Sequence, residues 1–185
     1  KKMFAVRSSS FAEDSFETSA AGMFESLLDV KFENIASAII DVYGSYHTIS
    51  ELDHVIVQEM VENVSASGVI FSHTLNGENA YQLSIAYGQD TSVITAGKAG
   101  NQETYFVSRF ADELQTLPQA VQKIVNIVRD LENFLEYARL DVEFVISGVD
   151  DIKIVQVRPL VSELMPAIIS DFGVRRYLYE QRSFL

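Results

Sequence analysis

Residues Leu140 to Arg158 read LDVEFVISGVDDIKIVQVR, two alternating runs on either side of a short glycine- and aspartate-containing turn. In the first run Asp141, Glu143 and Val145 point to one face, and Val142, Phe144 and Ile146 to the other. In the second, Ile154, Gln156 and Arg158 share a face, opposite Lys153, Val155 and Val157. Period-two alternation is the mark of a strand packed on one side. A symmetric turn centred on Val149 and Asp150, with a two- or four-residue loop, pairs Glu143 with Gln156 and Asp141 with Arg158. One face of this hairpin is then apolar, and the other carries two acids, an amide and a guanidinium. Burying such a polar face is costly unless something satisfies it. An acid beside a carboxamide oxygen offers hard ligands of the kind Mg²⁺ accepts together with phosphate oxygens. A guanidinium one pair away can clamp a phosphate or hold Asp141 in place. The same residues also suit a solvated face with cross-strand ion pairs.

Composition narrows the classes. The chain has 185 residues, 48% of them hydrophobic, which suits one substantial core or two small lobes. Its formal net charge is −12, a balance that disfavours nucleic acid and anionic membrane as partners. There are no cysteines, so disulfides, thiolate zinc sites and a cysteine nucleophile are excluded. No apolar run reaches membrane-spanning length and no signal peptide opens the sequence, so the expected setting is cytoplasmic.

Along the chain, MFAVRSSS is strand-like. From about Ser19 the apolar positions Met23, Leu27 and Val30, with Phe24 and Leu28, fit helical spacing, and Gly22 sits near that start. Phe32 to Tyr46 predicts a second helix with Phe32, Ile35, Ala36, Ile39, Ile40 and Tyr43 on one stripe and Gly44 as its stop. Val55 and Val57 lie in an expected buried strand ending in Gln58, Glu59, Met60 and Val61. A short strand from Val69 to Phe71 runs to an Asn76-Gly77 turn and returns through Tyr81, Leu83 and Ile85. Two further strands are expected at Ser92 to Thr95 and Thr104 to Arg109, joined by a loop with Gly97, Lys98 and Gly100 that lacks the spacing of a phosphate-binding loop. Thr116 is a candidate cap, and Pro118 the first turn, of the longest helix. Its apolar stripe of Val121, Ile124, Val125, Val128, Leu131, Leu135 and Ala138 continues to about Arg139. The tail after Pro159 is helical in pieces, broken at Pro166 and Gly173. His47, His54 and His73 do not cluster, and Ser72-His73 has no third partner for a serine triad.

Four stretches, taken in order, resemble one family. VRSSSFAEDSFETSAAGMFES (Val6 to Ser26) resembles the segment that opens the nucleotide domain of phosphoenolpyruvate synthases and pyruvate phosphate dikinases. VIVQEMVENVSASGVIFS (Val55 to Ser72) is similar to that family's paired strands, AYGQDTSVITAGKAGNQETYFV (Ala86 to Val107) to its glycine-containing stretch, and LDVEFVISGVDDIKIVQVRP (Leu140 to Pro159) to its closing hairpin. The resemblance implies an α+β, ATP-grasp-like fold with a mostly antiparallel sheet and packed helices, lacking part of the N-terminal lobe. On this reading residues 1–50 are a remnant of that lobe, 51–160 the nucleotide- and metal-binding lobe, and 161–185 a helical extension.

By position, Arg7 resembles the arginine that contacts the ATP phosphates, and Gln58, Glu59, Met60 and Val61 the strand that meets adenine, mostly through backbone groups. Glu143 and Gln156 match the Mg²⁺ ligands, Arg158 the phosphate-side arginine, and Asp141 the acid near ribose or metal. Arg7 and Arg158 are the residues the likeness makes catalytic. The family passes a phosphoryl group from ATP to a histidine on a swivelling domain, in the same or a separate chain. Three features depart from the pattern. The upstream segment with an ATP-contacting lysine has no counterpart, since Lys1 and Lys2 sit too close to Arg7. The phosphohistidine segment is absent, and FSHTL at Phe71 to Leu75 does not replace it. GQDTS carries Asp90 near the place of the family's acid but lacks its glycine pair. The expectation is a trimmed ATP-binding domain of a phosphotransferase, inactive by itself. The alternative is a degenerate module that senses nucleotide or binds a protein.

Overall fold

The computed structural model describes residues 2–9, 26–46, 49–88, 102–111, 114–148 and 151–160. The expected elements at Ser19 to residue 25, Ser92 to Thr95, the Gly97–Gly100 loop and the tail beyond 160 lie outside them. The chain is α+β and divides into two units, 1–62 and 63–185.

In the first unit β1 (Met3–Ser9) is the centre of a three-stranded antiparallel sheet, flanked by β2 (Ser26–Lys31) and β3 (His54–Glu59). A 3₁₀ turn (Phe32–Asn34) leads into α1 (Ile35–Gly44). Val6, Val30, Ala38 and Val42 form the core, with Phe4, Leu27, Ile35, Ile39 and Val55 packed against it.

The segment Ser26 to Lys31 is therefore strand rather than the expected helix, and its residues explain the misreading. Asp29 takes φ 55° and the β1–β2 register shifts between Phe4 and Val6. That irregularity brings Leu27 and Val30, three apart, onto the same core side. A bulged strand thus imitates helical spacing. The stripe of α1 is also rotated from the expected one. Ala38 and Val42 are its buried residues, whereas Phe32, Ile40 and Tyr43 are exposed. The sequence predicts a buried β3, yet Ile56 and Val57 are exposed, as suits an edge strand.

The second unit is a five-stranded antiparallel sheet in the order β6-β5-β4-β7-β8. Its strands are β4 (Val64–Phe71), β5 (Ala80–Tyr87), β6 (Gln102–Ser108), β7 (Leu140–Ser147) and β8 (Asp151–Pro159). β4 starts five residues before the expected Val69. The long helix α2 (Gln119–Leu135) covers one face through Val121, Ile124, Val125 and Val128, which join Ile70, Leu83, Ile85, Val142 and Phe144 in one core. Burying each such side chain contributes roughly 1.5–3 kcal/mol before ordering costs. Pro118 occupies the N-cap position and Thr116 makes no cap bond there. The helix stops at Leu135, short of Arg139, because Glu136 turns left-handed at φ 51° and its amide bonds back to Glu132. Among the described residues no helix is long and apolar enough to cross a membrane.

The β7–β8 register places Asp141 opposite Arg158 and Glu143 opposite Gln156, as the alternation predicts. The turn differs. Ser147 pairs with Asp151, so the loop holds three residues, and Phe144 pairs with Ile154 rather than Val155. The register shifts between Glu143 and Phe144, leaving Val155 as an extra residue. Ile152 and Ile154 consequently pack on the core, while Gln156 and Arg158 share the face of the acids. Strict alternation groups Ile154 with Gln156 and Arg158. The bulge separates them, turning apolar residues inward near the tip and polar ones outward near the base.

Candidate functional site

The sheet face turned away from α2 is built in cross-strand rows. One row runs Arg158, Asp141, Phe71, Gln82, Phe106, and the next Gln156, Glu143, Val69, Ser84, Thr104. Neighbouring strands lie about 4.8 Å apart, so each row is a short linear platform. The four polar residues read from the hairpin stand together at the β7–β8 end. Arg158 Nη2 donates to Glu143 Oε1 at 3.3 Å and lies 3.8 Å from Asp141 Oδ2. All three side chains are about three-quarters removed from solvent, with 21–25% of their surface exposed. One guanidinium thus faces two carboxylates on the same strand.

Asp141 bears the cost of this arrangement. Its Oδ1 is buried and has no hydrogen-bond partner among the described residues. Burial pushes its carboxyl up from 3.8 to about 6; Arg158 pulls it back down and Glu143 pushes it further up. A carboxyl whose folded value is raised holds its proton more tightly in the folded state. Its stabilising share is present below about pH 4 and is lost as pH rises through about 6. Replacing Asp141 by asparagine is therefore expected to raise the stability of the ligand-free chain at about pH 8 by on the order of 1–2 kcal/mol, and to leave it unchanged near pH 4. Urea unfolding at the two pH values checks this, and a less stable Asp141→Asn at the higher pH contradicts it.

The donor chemistry fits a hard divalent cation. A buried carboxylate oxygen lacks a donor, and an acid and an amide face each other across one strand pair. Among the described residues no three or more His, Cys, Asp or Glu side chains gather into a metal-holding group. Two acids and an amide leave ligand positions for phosphate oxygens or water, which is how Mg²⁺ is usually held.

Arg7, Gln58, Glu59, Met60 and Val61 belong to the first unit. Arg7 lies in β1 between Ile56 of β3 and Ser26 of β2, on the sheet face opposite Val6. Gln58 pairs with Ala5 and shares that face with Arg7. Glu59 points to the other face, where it binds Lys2 at 2.8 Å. The Met60 amide donates to the Met3 carbonyl, and the Met60 sulfur accepts from the Asp29 amide.

A second polar cluster escaped the sequence reading. Arg109 is buried, and its Nη1 donates to Glu132 Oε1 at 2.6 Å and to the Ser72 carbonyl at 2.7 Å. Its guanidinium lies 4.9 Å from the Tyr81 ring centre, and the Tyr81 hydroxyl donates to Glu132. A signal was present: Glu132 continues the Val121, Val125, Val128 stripe of α2, so an acid stands where an apolar residue belongs. An acid in that position demands a buried cation.

The sequence matches the family described as pyruvate phosphate dikinase, AMP/ATP-binding domain, over residues 1–117. The match holds all of the first unit and β4 to β6 of the second, and ends before the β7–β8 hairpin. A comparison with curated proteins finds no match to the chain. Since the matched stretch is more than half of the 185 residues, the chain belongs to the family of the AMP/ATP-binding domain of pyruvate phosphate dikinase.

Proposed function

We infer that this chain binds ATP as its Mg²⁺ complex, in an ATP-grasp-like fold, and presents the nucleotide for phosphoryl transfer to a histidine on a separate swivelling domain. The observation that carries the reading is the cluster of Asp141, Glu143, Gln156 and Arg158 on one sheet face. Glu143 and Gln156 are the residues that would hold the cation. When bound, Mg²⁺ supplies neutralisation of phosphate-oxygen charge as the phosphoryl group leaves. Asp141 adds a second carboxylate beside them, positioned to orient ribose or metal-bound water. Arg158, which offsets the two acids in the free chain, has the fork geometry to turn to a phosphate oxygen. Arg7 is assigned to the phosphates, and Gln58 to Val61 to the adenine, by the family likeness. In such a transfer the side chains position the phosphates and offset charge rather than form covalent bonds.

Calorimetric titration of the chain with Mg·ATP tests the assignment. The Glu143→Ala, Gln156→Ala double variant is expected to lose about 100-fold in affinity, since it removes both proposed ligands of the cation. Unchanged affinity in the double variant removes the site from this hairpin. Binding without phosphorylation of an added histidine domain keeps the nucleotide site and overturns the transfer step.

A further inference from the structure

Among the described residues the carboxylate of Asp141 is not fixed by hydrogen bonds of its own: Oδ1 has none, and Oδ2 approaches Arg158 at 3.8 Å. Its place in the site is therefore set by the backbone that carries it. Beside the strand pairing to β4 and β8, one buried hydroxyl grips that backbone where β7 begins. Ser72, which immediately follows β4, is fully buried. Its Oγ donates to the Ala138 carbonyl at 2.9 Å and accepts from the Leu140 amide at 2.6 Å. Its own amide donates to the Leu140 carbonyl at 2.9 Å. Three bonds thus converge on Ala138 and Leu140, three residues and one residue before Asp141, continuing the ladder beyond the Phe71–Asp141 pair. Ser72 is in turn anchored, since its carbonyl accepts from Arg109, which is locked to Glu132 of α2. On the other side the Leu160 amide donates to the Arg139 carbonyl.

We propose that Ser72 is a positioning residue: its hydroxyl clamps the start of β7 and so sets the Asp141 carboxylate within the metal–nucleotide site. The proposal rests on the site assigned above. A hydroxyl is needed because one atom must both donate and accept here. An alanine leaves a buried carbonyl and a buried amide each short of a partner. Threonine keeps the hydroxyl, and cysteine keeps the volume but only weak bonding.

The test uses the full chain and two readouts. The first is Mn²⁺·ATP affinity, with Mn²⁺ as the paramagnetic probe of the Mg²⁺ site. The second is the ¹³C resonance of the Asp141 side-chain carboxyl in the ligand-free protein, which needs no nucleotide. Ser72→Ala is expected to weaken Mn²⁺·ATP about 10-fold, the scale for losing a group that orients a ligand, and to move the Asp141 resonance. Ser72→Thr should restore both. Should Ser72→Ala lose thermal stability yet keep the wild-type affinity within about twofold and the wild-type Asp141 resonance, the residue is structural only and the proposal is overturned. Should the wild type bind no Mn²⁺·ATP, the site assignment fails. The carboxyl resonance then still decides whether Ser72 positions Asp141. If Ser72→Ala does not fold, Ser72→Cys carries both measurements.

Discussion

Arg109→Ala will lower the stability of the second unit by about 3–5 kcal/mol, the usual cost of removing one partner from a buried ion pair. Arg109 and Glu132 expose 6% and 9% of their side chains and meet at 2.6 Å. Removing the guanidinium leaves the Glu132 carboxylate with the Tyr81 hydroxyl as a neutral donor. It also strips the Ser72 carbonyl of its Arg109 bond and leaves Arg129, 5.7 Å from the Tyr81 ring centre, as the cation over that ring. Domains of this size are held by only about 5–15 kcal/mol, so a substantial share of the total is lost. Urea unfolding of Arg109→Ala, and of an Arg109→Met, Glu132→Leu pair, separates charge from packing. The pair is expected to recover most of the loss, because no unpaired charge remains inside. A double variant no more stable than Arg109→Ala places the cost in packing rather than in the buried charge.

The other large effect is at Gly68, in the middle of β4. A Cβ there would stand 2.2 Å from Phe144 Cζ and 2.4 Å from the Ser84 carbonyl oxygen. The Phe144 ring, itself 1% exposed, fills the space a side chain would take. The Phe144 ring can retreat only by disturbing the core, and the Ser84 oxygen is backbone in the central part of the sheet. Gly68→Val should therefore cost more than about 3 kcal/mol, the upper end of ordinary overpacking, and yield little folded protein. Gly68→Ala with Phe144→Leu should recover part of the loss but not all, because the carbonyl contact remains. Thermal unfolding of a soluble Gly68→Ala at the wild-type midpoint would mean that the close approach is not there.

These two positions mark where the sequence was not readable. Alternation located β5, β7 and β8, and the α2 stripe was correct from Val121 to Val128, since both rest on side-chain periodicity. β4 was recognised only from Val69 because its first residues, Val64 to Gly68, include small side chains and a glycine whose partner volume comes from Phe144, 76 residues away. Arg109 and Glu132 become a pair only once β6 and α2 are folded, so the acid in the α2 stripe signals a buried cation but not which residue supplies it. The acids and amide of the hairpin were legible because cross-strand partners follow from sequence symmetry. The face assignment of Ile154 and the strand character of Leu27 to Val30 failed for one shared reason. A single extra residue breaks a period, and periodicity reading has no means of seeing it.

Val155 bears on how the chain is to be compared with relatives. Because it has no partner across the hairpin, a homologue one residue shorter at that point would keep every cross-strand neighbour of Glu143 and Asp141. Length variation of a single position there is silent, and an ungapped alignment through it would assign the amide and the guanidinium to the wrong columns. Matching such hairpins from their polar base and from their apolar tip separately, with a gap allowed between, preserves the equivalence that matters.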